Sequence, residues 1–361
     1  MEVFDINSIT GYRTREMVIS DLRASANPVV ILGTGRFAVS IAKTIIDNGI
    51  GLLGFIDLDE YWFEGKVKKI NEKNYTCYKT SQIDGFPNFN LLLGIIDYSL
   101  LYNLKNQFKQ CEIIDYLDAY DSHIMSGDFI KKNQNTLEEL YISLSDDESK
   151  NVMREYIYSR YTGDVSKLSA LVHKSDYLYD WKLLGLSDDD IIVDGGAYIG
   201  DSVLEIKDYL DSMPQQIFTF EPDHQNLIRL IENFTPEELQ HIIPISAGLY
   251  SHDTTLKFSD SGTLGSCISE KGEKHIKVYA LDEHAAFKKA SVIKMDIEGS
   301  ELNALIGAEN LIRTNRPRMA ICIYHNNKDI IDISQFLKKF DYKLYLRQHS
   351  CSNEETVLYA I

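Results

Sequence analysis

The 361-residue chain has neither a long apolar run nor an excess of basic residues, the features typical of membrane proteins and nucleic-acid-binding proteins. No run of about eighteen apolar residues occurs, so a membrane-spanning helix is not expected. Lys and Arg number 37 against 54 Asp and Glu, and the formal charge of −17 would repel nucleic acid on average. We therefore expect neither a membrane protein nor a nucleic-acid-binding protein.

Cysteine is scarce, with five residues in the chain: Cys77, Cys111, Cys267, Cys322 and Cys351. The count is odd and no two form a CxxC pair, which predicts reduced thiols and not a disulfide framework. The first residues, MEVFDINSITGYR, have neither the basic start nor the apolar core of a signal peptide. Together these features predict a soluble, cytoplasmic protein.

Strand-like apolar runs alternate with helical patterns in two separate parts of the chain, which predicts two α/β units with parallel sheets. We predict a Rossmann-like N-terminal domain over 1–127, a helical connector or cap over 128–180, and a second α/β domain over 181–361. The connector is predicted from two apolar helical stripes and from a capping box at Thr136-x-x-Glu139.

The first unit begins with PVVILGTGRFAVSIAKTIIDNG, where a strand over 29–32 leads into a glycine-rich turn. The turn and the helix after it, Gly33-x-Gly35-x-x-Ala38, fit the dinucleotide fingerprint GxGxxG/A. Arg36 inside the turn is compatible with an anion. Asp57 ends the second strand, near where a ribose-binding acid belongs.

Gly33, Gly35, Arg36 and Asp57 therefore predict a second nucleotide site, which would bind a nucleotide or a nucleotide sugar. A substrate-docking or structural role stays open, because half-size units of this kind often lack a complete site. Two further strands are expected in this unit, over 90–96 and 111–117, with Phe37, Ile41 and Ile45 on the buried face of the first helix.

The second unit is predicted to contain five parallel strands and a terminal hairpin. The strands are expected over 191–193, 217–220, 242–246, 292–295 and 319–324. The segments YKLYLR and TVLYAI at the end of the chain are too close together for a helical crossover, so they should form an antiparallel hairpin. This is the outline of a seven-stranded class I methyltransferase sheet, which is Rossmann-like.

Four polar residues each follow one of these strands: Asp194, Glu221, Asp296 and His325. Because ligands in open α/β sheets bind outside the carboxyl ends of the strands, the four should share one crevice. Glu221 lies 25 residues after Gly196, where an acidic residue can accept hydrogen bonds from ribose hydroxyls.

The loop DGGAYIGDS after the first of these strands is glycine-rich but acidic at both ends. Asp194 and Asp201, with Asp296 and Glu298 nearby, would repel the phosphates that glycine loops commonly bind. The same carboxylates suit S-adenosylmethionine, which carries a positive amine and a positive sulfonium and no phosphate. A structural role for Asp201 is also predicted, since Ser202-x-x-Glu205 reads as a capping box.

Several segments resemble the FkbM family of S-adenosylmethionine-dependent methyltransferases: IIVDGGAYIGDS, FTFEP, VIKMDIEGSELNALIGAENLI and AICIYHNNKDIIDI…ETVLYA. The resemblance covers roughly 137–361, and KMDIEGSE is its most specific element. The family is taken to comprise mainly O-methyltransferases that act on hydroxyls of small molecules, sugars and glycans. The resemblance therefore implies S-adenosylmethionine as cofactor and a small-molecule or sugar acceptor.

The resemblance also implies roles for individual residues. The glycine-rich loop would bind the methionine end of the cofactor, with the residues Asp194, Gly195, Gly196, Tyr198 and Gly200. Glu221 would hold the ribose, and Ser246 and Ala247 would border the adenine. Asp296 would lie between cofactor and acceptor.

The acceptor hydroxyl must lose a proton, which requires a base within hydrogen-bond reach. His325 titrates near neutrality and is the preferred candidate, with Asp296 as the second. Asp296, Glu298 and His325 would face the acceptor. The same three could supply metal ligands that acidify the hydroxyl, but nothing in their spacing demands a metal, and none is predicted.

Two other functions remain open from the sequence alone. The chain could be an NAD(P)- or nucleotide-sugar-binding oxidoreductase that uses the GTGRFA loop, or a non-catalytic S-adenosylmethionine-binding protein. The acceptor and the formation of homo-oligomers are not determined by the sequence.

Overall fold

The structure is a computed structural model that describes residues 9–57, 62–95, 111–115, 125–174, 177–259, 267–268, 274–351 and 354–361. The chain divides into two compact units. The first comprises Met1–Gln134, Arg154–Leu171 and Cys351–Asn353, and the second comprises Asn135–Met153, Val172–Ser350 and Glu354–Ile361. Within the described ranges, no helix is both long enough and apolar enough to cross a membrane.

Eleven helices are described in these ranges: α1 (Arg15–Ala24), α2 (Arg36–Asp47), α3 (Gly127–Ser143), α4 (Asp147–Thr162), α5 (Ser166–Ser169), α6 (Trp181–Leu184), α7 (Asp201–Leu210), α8 (His224–Glu232), α9 (Glu301–Ile306), α10 (Glu309–Asn315) and α11 (Asp329–Lys338). The strands of the first unit are β1 (Val29–Leu32), β2 (Leu52–Asp57), β3 (Val67–Ile70), β4 (Lys73–Lys79), β5 (Phe89–Leu93) and β6 (Cys111–Asp115). Those of the second unit are β7 (Ile191–Gly195), β8 (Gln216–Phe220), β9 (Ile242–Ile245), β10 (Gly248–Leu249), β11 (Thr254–Ser259), β12 (Cys267–Ile268), β13 (Lys274–Tyr279), β14 (Val292–Met295), β15 (Arg318–Cys322), β16 (Leu344–Gln348) and β17 (Thr356–Ala360).

The first unit is built on a six-stranded sheet in the order β3-β4-β2-β1-β5-β6. All four residues of β1 are buried, as expected for a central strand covered on both faces. Helix α2 buries Ala38, Ile41, Ala42 and Ile45, whereas Phe37 is exposed, so the buried face begins one residue later than predicted. The ends predicted for β5 and β6, Ile96 and 116–117, lie outside the described residues.

The second unit contains a seven-stranded sheet in the order β16-β17-β15-β14-β7-β8-β9. Strands β9, β8, β7, β14 and β15 run parallel, and β17 pairs antiparallel with both β15 and β16. The predicted fold is confirmed, including the terminal hairpin. The central strands are almost fully buried because helices cover parallel sheets on both faces.

A second, four-stranded sheet in the same unit was not predicted. Its order is β10-β13-β11-β12, and β11 pairs antiparallel with β13. The alternating burial of β13 marks a sheet with one solvent-exposed face. Phe258 and Ile276, on its buried face, pack together with Val278.

Both predicted capping boxes are wrong. Thr136 lies inside α3, which begins nine residues earlier, at Gly127. Ser202 is the second residue of α7, whose N-cap is Gly200, and its hydroxyl donates to Asp194. In each case a tertiary contact or a longer helix replaces the local cap that the sequence pattern predicts.

Candidate functional site

A cavity of about 250 Å³ lies in the second unit where β7, β8 and β14 end. Its wall includes the loop after β7, the start of α7 and the loop after β14. The acidic side chains that line it are Asp201, Glu221, Asp296, Glu298 and Glu355. Ligands bind at this edge of an open α/β sheet because several loops converge there.

The loop between β7 and α7 can take its shape only because glycines occupy two positions. Gly196 has φ +74° and Gly200 φ +87°, in the left-handed region that glycine enters freely. A Cβ at Gly196 would lie 1.8 Å from the carbonyl oxygen of Asp296, and one at Gly200 would lie 2.7 Å from the ring of Phe234. Gly196 therefore lets the loop pass directly against the backbone after β14, and Gly200 lets it pass against Phe234.

A Gly196→Ala variant should lose at least about 2 kcal/mol of unfolding free energy, since alanine would add backbone strain to the clash with Asp296. Binding of S-adenosylhomocysteine should weaken by about 100-fold or more, roughly 2.7 kcal/mol. Calorimetry and thermal melting measure the two effects. Gly51→Ala is the control, because an added Cβ there meets nothing within 4 Å. Equal binding by the two variants would contradict the role of the loop.

Asp194 does not line the cavity but lies beneath the loop, fully buried. Its carboxylate pairs with the Lys294 ammonium at 3.0 Å and accepts a hydrogen bond from the Ser202 hydroxyl at 2.5 Å. Lys294 also donates to the carbonyl oxygen of Gly196 at 2.9 Å. The pair forms because β7 and β14 place the two residues in register on adjacent strands.

Lys294 is thereby held as a cation. Burial lowers the pKa of its ammonium, but the carboxylates of Asp194, Asp296 and Asp201 outweigh burial and raise that pKa above its ordinary value. The Lys294–Asp194 pair thus stabilises the glycine-rich loop from beneath.

Glu221 lines the cavity just after β8 and is almost fully buried. One carboxylate oxygen accepts from the backbone N–H of Tyr198 at 3.0 Å and the other from that of Asp223 at 2.8 Å. Burial raises the pKa of the carboxyl to about 7, against the effect of these hydrogen bonds. The Asn226 side chain also hydrogen-bonds to this carboxylate. A carboxylate has about four lone-pair sites, so part of its accepting capacity is left for a ligand diol.

The two residues assigned to adenine do not line the cavity. Ser246 is exposed and Ala247 is buried behind the wall. Their chain neighbours Gly248 and Leu249 line it instead, together with Pro222 and Asn226 on the other side. An adenine-binding role for Ser246 and Ala247 stays a prediction.

His325 lies among carboxylates at the other side of the site, with its side chain 9% exposed. Nδ1 lies 3.0 Å from Glu301 Oε1, and Nε2 lies 3.3 Å from Asp296 Oδ1 and 3.4 Å from Glu298 Oε2. Glu301 is itself buried and accepts from the backbone N–H of Ile297. The structure thus brings the three predicted acceptor-side residues together and adds a fourth.

This surrounding charge changes the role predicted for His325. Burial lowers the pKa of the imidazole, but Glu301, Asp296 and Glu298 outweigh burial and raise it to about 10. A protonated imidazole cannot accept a proton, so His325 is not suited to be the base at neutral pH. Burial, with Asp296 and Glu301 nearby and His325 opposing, raises the pKa of Glu298 to about 7, which suits a base.

The stability of the protein should depend on pH through His325. Because its pKa is raised from the ordinary 6.5 to about 10, its contribution is complete below pH 6.5 and is lost as pH rises through 10. We expect the unfolding free energy to fall between pH 7 and pH 10, and a His325→Gln variant to be less stable at pH 7 but to fall less. Urea denaturation at several pH values measures this. A decline as steep in His325→Gln as in an exposed-site control, His252→Gln, would contradict the assignment.

Tyr324 and Glu355 extend the cluster, and neither was predicted from the sequence to belong to the site. The Tyr324 hydroxyl lies 3.1 Å from Asp296 Oδ1 and 3.3 Å from Glu355 Oε1. Burial, with Asp296 and Glu354 nearby, raises the pKa of Glu355 to about 7. Ligand atoms of Asp296, Glu301 and His325 lie within 4.8 Å of one another and could hold a metal ion, as could those of Asp296, Cys322 and Glu355.

The predicted nucleotide residues also lie together, in the first unit. Gly33 has φ +98° and packs against Gly94, Gly35 caps α2, and Arg36 is exposed beside it. The Asp57 carboxylate is buried and pairs with Lys66 and with the hydroxyl of Thr34. Since Lys66 already binds the acid assigned to ribose, nucleotide binding here stays a prediction.

Comparison with known proteins bears on the functions left open. Residues 194–344 match the model of the methyltransferase FkbM domain. This part of the chain is similar to FkbM methyltransferase domains. The resemblance predicted from the motifs is confirmed, and the family implies S-adenosylmethionine as methyl donor.

Two individual proteins resemble this chain over different lengths. The hexuronic acid methyltransferase AglP of Haloferax volcanii is 28% identical over 158 residues, 42% of this chain and 63% of that protein, so the chain matches less than two thirds of it. The crystal structure of methyltransferase FkbM from Methylobacillus flagellatus KT is 21% identical and covers 99% of this chain and 96% of that one, with a TM-score of 0.74. At that identity the likeness shows the fold.

Proposed function

We propose that the protein transfers a methyl group from S-adenosylmethionine to a hydroxyl of a small molecule, and that this acceptor is a sugar or glycan. The observation that carries the proposal is the acidic cavity beside the glycine-rich loop, with five carboxylates and the paired Lys294. Such a cavity disfavours phosphates and suits a cofactor with two positive centres. The relative AglP, which is named a hexuronic acid methyltransferase, supports a sugar acceptor.

The residues present fit this cofactor. Glu221 would hold the ribose diol with the accepting capacity that its buried carboxylate retains. Asp201 opens α7 at the cavity wall and would pair with the methionine ammonium. Gly248 and Leu249, with Asn226 opposite, would border the adenine. The cofactor supplies an electrophilic methyl group when it is bound.

The chain's own part in the reaction is to position the acceptor and to remove its proton. Positioning contributes most of the acceleration of an in-line displacement. Glu298 lines the cavity, and its carboxyl pKa of about 7 lets the carboxylate take a hydroxyl proton near neutral pH. The His325 cation, enclosed by Glu298, Asp296 and Glu301, fixes the orientation of these carboxylates.

Release of S-adenosylhomocysteine tests the proposal. The full-length protein is incubated with S-adenosylmethionine and a panel of hydroxyl compounds, mainly sugars and glycosides, and products are identified by mass spectrometry and NMR. The expected product is a methyl ether. A protein that binds the cofactor but methylates no acceptor would instead be the non-catalytic binding protein, and a product methylated on nitrogen or carbon would overturn O-methylation.

A further inference from the structure

Glu205 on α7 has contacts that the sequence pattern does not predict. The capping box to which it was assigned does not form, and its carboxylate reaches the chain before α6 instead. One oxygen accepts from the backbone N–H of Leu178 at 2.8 Å, and the other accepts from the indole N–H of Trp181 at 3.2 Å. Glu205 therefore joins α7 to residues 177–181, which we call the wall segment.

The wall segment has two further contacts with this part of the second unit. The Tyr177 hydroxyl donates to the carboxylate of Asp208, also on α7, at 2.9 Å. The Tyr179 ring is buried, and its centroid lies 5.5 Å from the Lys294 ammonium, which supports the glycine-rich loop. The segment is thus held against α7 and beside the loop from which α7 starts.

Leu178 is the most exposed residue of the wall segment. Its apolar side chain is 45% exposed, and together with Tyr179 it lines the cavity. Its backbone is fixed by the hydrogen bond to Glu205, so the side chain is presented at the wall. An apolar side chain in this position is removed from water when a ligand covers it, which favours binding of an apolar part of that ligand.

The attachment to α7 indicates which part of the ligand Leu178 meets. Glu205 follows Asp201 by four residues, so the two carboxylates lie on one face of α7, about 6 Å apart along its axis. Asp201 is the residue proposed to pair with the methionine ammonium, whereas Gly248 and Leu249, proposed to border the adenine, belong to β10. Leu178 therefore belongs to the methionine end of the cavity, where the ligand carries apolar methylene groups.

We infer that Glu205 is a positioning residue for cofactor binding, which holds the wall segment against α7 so that Leu178 covers the methionine end of S-adenosylmethionine. The inference rests on the proposed function, because it assumes this cofactor in the cavity. It goes beyond that function because neither Glu205 nor Leu178 was predicted to take part in cofactor binding.

Two ligands that differ only at the methionine end test the inference by calorimetry on the full-length protein. S-adenosylhomocysteine carries the whole amino-acid chain, whereas methylthioadenosine keeps the adenosine and the sulfur and has a methyl group in place of that chain. Glu205→Ala should weaken binding of S-adenosylhomocysteine about 10-fold or more, since two hydrogen bonds of the wall segment are lost, and Leu178→Ala about 5-fold. Methylthioadenosine should bind the parent and both variants within about twofold of one another.

Further variants separate positioning from a general effect on the fold. Alanine is favourable in a helix, so Glu205→Ala should leave α7 folded. Glu205→Gln keeps one oxygen acceptor and should have an affinity between those of the parent and Glu205→Ala. Glu232→Ala, on an exposed position of α8, is the control and should change neither affinity.

The double variant Leu178→Ala, Glu205→Ala gives a readout that does not require methylthioadenosine to bind. It should bind S-adenosylhomocysteine as weakly as Glu205→Ala alone, because both changes remove the same contact. Losses that add in the double variant overturn the inference, as do equal losses for the two ligands or an affinity for S-adenosylhomocysteine that either single variant leaves unchanged. These results leave the proposed function intact, whereas failure of the parent protein to bind S-adenosylhomocysteine overturns the proposed function itself.

Discussion

A Lys294→Met variant should lose about 3–5 kcal/mol of unfolding free energy at pH 7. The loss follows from the burial of Asp194, which is 0% exposed and would keep a carboxylate with no cation beside it. Methionine fills a similar volume, so the cost comes from charge and not from a cavity. Denaturant unfolding measures the effect.

The pair itself is tested by the double variant Asp194→Asn, Lys294→Met. Removing both charges should recover at least half of the stability that the single change loses, because no buried charge is then left unpaired. Lys182→Met, on an exposed position of α6, is the control for loss of a lysine. A single variant within about 1 kcal/mol of the parent would contradict a buried, uncompensated carboxylate.

A Glu298→Gln variant should reduce kcat about 10²- to 10⁴-fold while the affinity for S-adenosylhomocysteine changes little. Glutamine keeps the size of the side chain but cannot accept the hydroxyl proton. The pH dependence gives a second readout. Since the carboxyl pKa is about 7 in the free protein, kcat/KM for the cofactor should rise with pH through that region.

In Glu298→Gln the rise centred near pH 7 should disappear. Asp332→Asn, a change of charge on α11 outside the cavity wall, should leave both kcat and the pH profile unchanged. Full activity in Glu298→Gln would contradict Glu298 as the base. Asp296, which also lines the cavity, would then be the candidate.

The fold of the second unit could be predicted because its determinants are local. Continuous apolar runs such as that of β14 mark buried parallel strands, and the short connection between β16 and β17 admits only a hairpin. The rim residues Glu221 and Asp296 could be placed for the same reason, since both directly follow a strand. The four-stranded sheet was missed because β10 and β12 are two residues long.

The sequence predicted several of the residues that form the site, but not the charge state of His325. The motif KMDIEGSE identifies Asp296 and Glu298. Only the packed structure places Glu301 against the Nδ1 of His325, where its carboxylate raises the pKa of the imidazole. Lys294 could have been found, because a lysine inside the buried strand VIKM requires a carboxylate partner, and Asp194 ends the neighbouring strand. Glu355 begins the segment ETVLYA, but the sequence assigns it no role, and it joins the site only through the hairpin.

The measurement that tests the account most directly is calorimetric titration of S-adenosylmethionine and S-adenosylhomocysteine into the full-length protein and into Glu221→Gln. The account predicts micromolar binding that weakens about 100-fold or more in the variant, because the buried carboxylate that would accept the ribose hydroxyls is lost. Absence of binding to the parent protein, or binding that Glu221→Gln does not change, would contradict a cofactor site in this cavity.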